Sequence, residues 1–205
     1  MTLDQQITGY AESLFDVVGI SRLSSGESLL ILGLESTPER NLDEFGHPDG
    51  HFQMYGFEKH VAPRLKVLLD FIRSQGFSAE PVGRYGYPLK GEVNLKKEAI
   101  RTGLGRRGKN TIILNPRYGP WLRFMVVKTD APLEPKADLA QAEEENPVCH
   151  GCSICIDACP AGALEPYRMP DISICLSNIT KMTEEGRSIL CDLCLELCPA
   201  FKEKS

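Results

Sequence analysis

Cys149-His150-Gly151-Cys152-Ser153-Ile154-Cys155-Ile156-Asp157-Ala158-Cys159-Pro160 follows the spacing C-x2-C-x2-C-x3-C-P residue for residue, the bacterial arrangement for holding a [4Fe-4S] cluster. The spacing has a geometric reason: a turn every three residues wraps the backbone around a cubane and aims its N–H groups at the sulfides. Gly151 and Gly162 are expected to ease that close approach. In this pattern three closely spaced thiolates serve one cluster and the fourth serves a second one.

The same template laid on Cys191-Asp192-Leu193-Cys194-Leu195-Glu196-Leu197-Cys198-Pro199 puts its first ligand at position 188, which is Ser188. One thiolate is missing there, and Cys175 is the only other cysteine in the chain. A loop over 171–186 can bring it to the gap. The inventory then closes on two [4Fe-4S] clusters: Cys149, Cys152, Cys155 and Cys198 for one, and Cys159, Cys175, Cys191 and Cys194 for the other. A pair of structural zinc sites is the competing reading, since C-x2-C repeats also bind Zn. Brown colour with broad absorption near about 400 nm separates the two. His150 sits inside the motif, where it would tune the potential without ligating.

All eight cysteines lie between positions 149 and 198, which in a reducing compartment reads as metal ligation and not as disulfides. The 205 residues are 42% hydrophobic and 25% charged, a composition that excludes disorder. The apolar run Leu29–Leu34 is far short of the roughly 20 residues of a spanning helix, and Met1–Gln6 lacks the marks of a secretion signal. A cytoplasmic protein without membrane contact is expected. The net charge of −5 argues against a nucleic-acid surface spread over the molecule. Two oxidised clusters with eight thiolates would carry it to about −9, giving an anionic electron-transfer face.

Upstream of the cysteines the patterning is mixed α+β. Ile7, Tyr10, Ala11, Leu14, Phe15 and Val18 recur with a helical period over 4–18, and Leu29–Leu34 reads as a buried strand. The stretch 39–56 is polar and rich in Gly, Pro and His, as binding loops are. A second long helix is predicted over 57–75, with Pro63 in its first turn and Gly76 as its stop. An irregular stretch over 80–91 comes next. Asn94 can cap a helix over 95–102 that ends at Gly103. Thr111–Leu114 and Trp121–Val127, around a Pro- and Gly-containing turn, predict an antiparallel hairpin. The segment 130–147, with Glu143-Glu144-Glu145, has linker composition, so domains are expected at 1–140 and 141–205.

Gly103-Leu104-Gly105-Arg106-Arg107-Gly108-Lys109-Asn110 satisfies G-x-G-x-x-G and nearly satisfies a P-loop. Context rejects both. A dinucleotide fingerprint needs a strand before it and a helix after it, the reverse of the order here, and Asn110 lacks the hydroxyl a P-loop gives to magnesium. A tight helix-to-strand turn is the alternative. Arg101, Arg106, Arg107, Lys109, Arg117 and Arg123 still concentrate positive charge around it, welcome to an anion or a cofactor edge.

The run from Asn94 to Asp130 followed by the paired cysteine motifs resembles the epoxyqueuosine reductase and reductive dehalogenase superfamily. The matching elements are Thr102-Gly103-Leu104-Gly105, Gly108-Lys109-Asn110, Pro116-Arg117-Tyr118-Gly119 and Lys128-Thr129-Asp130. Cys175-Leu176-Ser177-Asn178-Ile179-Thr180 and Cys191-Asp192-Leu193-Cys194 complete the match, which covers a little under half of the chain. The resemblance implies a nitroreductase-like N-terminal domain holding cobalamin in its base-off form, or less favourably a flavin, followed by a bacterial ferredoxin-like domain with two [4Fe-4S] clusters. An external low-potential electron donor would feed the clusters. The corrin would supply the chemistry and the protein burial and orientation. Gly103, Gly105, Arg106, Arg107, Gly108, Lys109, Asn110 and Tyr118 are the candidate cofactor-binding residues.

Two departures bear on activity. Where the family carries an acidic proton donor this chain has Leu89, and it ends seven residues after Cys198, without the helical repeats that bind transfer RNA in the family. Epoxyqueuosine reduction and a nucleic-acid partner are therefore not expected, and the acceptor is a small molecule or a corrinoid protein. Tyr85 and Tyr87 are the first candidates for the general acid, ahead of Tyr118, His47, His51 and Lys90. The rival reading is an electron carrier with no organic cofactor, whose N-terminal domain docks on a partner corrinoid protein.

Overall fold

Thr2 opens the first helix with a capping box: its hydroxyl accepts from Gln5 N while the Gln5 side chain accepts from Thr2 N. The computed structural model describes residues 2–82, 93–135 and 146–201. In chain order the elements are α1 (Leu3–Leu14), β1 (Val17–Arg22), β2 (Ser28–Glu35), β3 (Glu44–Phe45), α2 (Tyr55–His60), α3 (Ala62–Ser74), β4 (Ala79–Pro81), α4 (Leu95–Arg101), β5 (Arg106–Arg107), β6 (Ile113–Leu114), β7 (Leu122–Thr129), α5 (Ile154–Asp157), α6 (Ile172–Leu176), β8 (Ile179–Met182), β9 (Ser188–Leu190) and α7 (Leu193–Glu196).

The centre is an antiparallel sheet ordered β1-β2-β7-β4. Side chains alternate faces along a strand, so the unbroken apolar run of β2 means that both faces are covered. Leu30, Leu32 and Leu34 pack with Met125 and Val127 against Ile7 and Ala11 of α1 and Leu68 and Ile72 of α3. Leu29 and Ile31 pack with Phe124 and Val126 against Leu95, Ala99 and Ile100 of α4 on the other side. Leu32 is fully buried, and Leu32→Ala is expected to cost about 2–5 kcal/mol, read as a lowered urea midpoint at unchanged m-value.

The predicted α+β architecture holds, with four corrections. The first helix stops at Leu14, and Val18 lies in β1, because Phe15 turns extended and its N–H closes the helix on Ala11 O. The helix expected over 57–75 is two helices that break at Val61, and Pro63 is in the first turn of the second. The loop over 39–56 contains β3, which pairs with β9 across 143 residues of chain (Phe45 with Ser188). The hairpin of 111–114 with 121–127 does not form. Asn115 and Gly119 instead close the turn on themselves, N–H to O in both directions. That leaves β6 to pair with β5, while β7 joins β2 along eight residues.

Because β3 joins β9 and β8 in a three-stranded sheet, the cysteine-rich region is fastened to the N-terminal part by backbone hydrogen bonds. Among the described residues no helix is long and apolar enough to cross a membrane.

Candidate functional site: two thiol groups beside a cleft

The cysteines fall into two groups of four. Burial pushes the Cys155 thiol up, helped by the neighbouring Cys198, Cys149 and Cys152. These four line one small cavity together with Leu114 and Pro199. Burial likewise raises Cys175, with Cys159 and Cys191 as its neighbours, and pushes Cys194 up to about 12, with Cys175, Cys155, Cys191 and Cys159 adding to it. The groups adjoin, since Cys155 of the first acts on Cys194 of the second. Thiols packed and buried in this way stay ionised only around a multiply charged cationic core.

Local structure explains how distant residues meet. Asp171 caps α6, accepting from Ser173 N at 2.8 Å, and α6 carries Cys175. Cys191 follows β9, its N–H bonded to Asn178 O at 3.1 Å. Ala163 N donates to Cys159 Sγ at 3.3 Å. Ser188 lies in β9 with its hydroxyl donating to Met182 Sδ. Gly151 and Gly162 take φ of +66° and +61° with nothing within 4 Å of a Cβ. Both glycines therefore serve the left-handed turns of the cysteine loops. Among the described residues no three His, Cys, Asp or Glu side chains converge as ligands of a single ion would.

A cleft of about 1140 Å³ opens beside the second group, with Cys175, Cys191 and Cys194 on its wall. It exceeds the roughly 300–1,000 Å³ of an ordinary small-molecule pocket. Trp121, Phe57 and Met54 supply apolar wall, and Asp43 and Arg123 brace one side through a bidentate pair with N–O distances of 2.9 and 2.6 Å.

The glycine-rich loop is spent largely on structure. Gly103 (φ +75°) ends α4, and a Cβ on Gly105 would stand 2.6 Å from Leu114 O. A Cβ on Gly108 would stand 2.7 Å from Asn110 Oδ1 and 2.8 Å from Leu114 Cδ1, and Tyr118 is buried in the core beneath α4. Lys109 Nζ donates to Cys152 O and Asn110 Nδ2 to Cys194 O, both at 3.0 Å, so the loop holds one turn of each thiol group. Of the candidate cofactor residues Arg107 and Asn110 reach the cleft wall, while Arg106 is exposed. Tyr85, Tyr87, Leu89 and Lys90 lie outside the described residues; His47 packs edge-on against Phe45 and Phe52, and His51 closes the short turn over Pro48–Gly50.

Two cleft residues escaped the sequence reading. Lys96 lies on the wall with Nζ 3.3 Å from Thr111 Oγ1. Thr111 has φ of +68°, a conformation that costs a β-branched residue about 1–3 kcal/mol and persists only where its surroundings enforce it.

No protein-family model matches the chain. It is 34% identical to an epoxyqueuosine reductase of Listeria monocytogenes over 119 residues, 53% of this chain and 30% of that protein. Against that of Leadbetterella byssophila it is 29% identical over 188 residues, covering 86% and 59%. The chain spans between 30% and 59% of the length of the curated relatives it matches. Among solved structures it superposes on epoxyqueuosine reductase from Streptococcus thermophilus with a TM-score of 0.67 at 16% identity, covering 98% of this chain and 66% of that one. On a catabolic reductive dehalogenase the TM-score is 0.63 at 17% identity, with 97% and 32% covered.

A two-faced α+β sheet domain fastened to an eight-cysteine region, with one thiol group opening on a large cleft, defines the class. Within it, the chain is a homologue of epoxyqueuosine reductases and carries the fold of the epoxyqueuosine reductase and reductive dehalogenase superfamily.

Proposed function

We propose that the chain is a reductase in which two [4Fe-4S] clusters supply single electrons to a corrinoid seated in the cleft, a flavin being the lesser alternative occupant. The observation that supports this reading is the placement of Cys175, Cys191 and Cys194 on the cleft wall, where a cluster held by them would lie against a cofactor bound in the cleft. The volume and apolar walls suit a large planar group. A reductive dehalogenase whose structure is described as suggesting B12-dependent dehalogenation shares the fold with a TM-score of 0.54.

The chain's residues divide the work. Lys109 and Asn110 hold the loops of Cys152 and Cys194, fixing the two thiol groups relative to the cleft. The pair Asp43–Arg123 braces one side of the cleft, and Trp121 and Phe57 add apolar lining that disfavours water. An external low-potential donor approaches through the cysteine-rich region, and the electron acceptor is a small molecule or a corrinoid protein. One structural neighbour is an epoxyqueuosine reductase with a transfer RNA stem loop. Leu89 in place of the acid points this chain to a different substrate.

Protein reconstituted anaerobically with iron and sulfide is expected to bind hydroxocobalamin at about one per chain on gel filtration, with a corrin spectrum that changes on reduction. If neither cobalamin nor flavin co-elutes, the reading fails, and cluster-bearing protein without an organic cofactor is then an electron carrier.

A further inference from the structure

Lys96, the second residue of α4, and Arg107, in β5, stand on the same cleft wall. They are close enough for the Arg107 charge to act on Lys96: burial first, and that charge second, hold the Lys96 ammonium down to about 8. Among the described residues neither has a carboxylate within ion-pair distance, and the hydrogen bond recorded for Lys96 is the long one to Thr111. Of the acids on the cleft lining, Asp43 pairs with Arg123 and Glu44 with Arg187, and no ion pair joins Glu35, Asp192 or Glu196 to Lys96 or Arg107 among the described residues. Two cations on one cleft wall, neither paired with a carboxylate among the described residues, repel each other, and an anion between them relieves that repulsion.

We propose that Lys96 and Arg107 form an anion subsite that seats the carboxylate or phosphate oxygens of the molecule reduced in the cleft. Arg107 offers a planar fork that matches two oxygens, and Lys96 offers a point charge set deeper. Thr111, locked at φ +68°, positions the ammonium. Elsewhere the cleft offers apolar wall at Met54, Phe57 and Trp121, so the ligand class is an organic acid or phosphate with an otherwise apolar body. The inference rests on the cleft being the reaction site, and corrinoid binding is read separately for that reason.

The test uses full-length protein reconstituted with iron and sulfide, and calorimetric titration with benzoate, its neutral analogue benzamide, and inorganic phosphate. Benzoate or phosphate is expected to bind, and benzamide at least about tenfold more weakly than benzoate, the scale of a charge-assisted contact. Lys96→Met and Arg107→Gln are each expected to weaken anion binding by about tenfold, and Lys96→Arg to restore most of it. Iron content should stay as in the parent in all of them, and hydroxocobalamin affinity in Lys96→Met. Arg107 is exposed, so its variant tests the site without touching the core. Equal affinity for benzoate and benzamide, no anion binding by the parent, or unchanged binding by Arg107→Gln overturns the proposal. So does a loss of cobalamin affinity matching the loss of anion affinity, because the subsite would then hold the corrinoid's own phosphodiester. Absence of cobalamin binding with anion recognition intact sinks the corrinoid reading and leaves the subsite standing.

Discussion

Cys175→Ala is expected to leave one iron–sulfur centre and remove the other, so that iron falls from about eight to about four atoms per chain after identical anaerobic reconstitution. Cys175 lies outside both compact motifs, yet α6 brings it into the group of Cys159, Cys191 and Cys194. All other cysteines of the chain are already assigned. Ser188, the template position for the missing ligand, is held in β9 by pairing with Phe45 and by its bond to Met182, so Ser188→Cys should not rescue the loss. The crossover gives a second, sharper result: Cys198→Ala should remove the centre of the first motif, and Cys159→Ala that of the second. Iron and sulfide analysis with low-temperature EPR reads all of these, and eight irons retained in Cys175→Ala would defeat the assignment.

The grouping of the thiols was readable because cluster ligation is a local demand on spacing. Two short runs carry seven of the eight thiols, and simple counting finds the last. The buried sheet was legible for a similar reason, since apolar runs such as Leu29–Leu34 must be covered on both faces. What failed was partner choice. Thr111–Leu114 and Trp121–Val127 look like hairpin strands around a turn, but the turn closes on itself through Asn115 and Gly119. The longer strand then finds more pairing along β2 and β4. Likewise no local signal marks β3, two residues whose partner lies 143 positions away. The cationic loop was visible as charge, yet which charges face the cleft depends on the backbone. Lys109 and Asn110 reach carbonyls of the cysteine turns, whereas Lys96 comes to the wall from the start of α4, beside a threonine whose left-handed φ no composition betrays.

Gly56→Ala is expected to destabilise the protein by about 1–3 kcal/mol or more, because a Cβ there has nowhere to go. It would stand 2.2 Å from Asn41 O and 2.8 and 2.9 Å from the carbonyl carbon and Cα of Leu42, all backbone atoms that cannot swing aside. Relief requires α2 and the segment over 41–43 to part, and that segment is held by three contacts. Leu42 N donates to Ser36 Oγ at 3.0 Å, Asp43 N donates to Asn41 Oδ1 at 2.9 Å, and Asp43 holds Arg123. Asn41, Leu42 and Asp43 are also cleft wall. The substitution should therefore lower the unfolding midpoint by several degrees, at roughly 2–4 °C per kcal/mol for a chain of this size, and weaken hydroxocobalamin binding while iron content stays unchanged. Gly9→Ala is the control: it lies inside α1 with nothing within 4 Å of the new methyl, and should stabilise by about 0.5–1 kcal/mol. If the two alanines shift the midpoint alike, close backbone packing behind the cleft wall is not what holds it in shape.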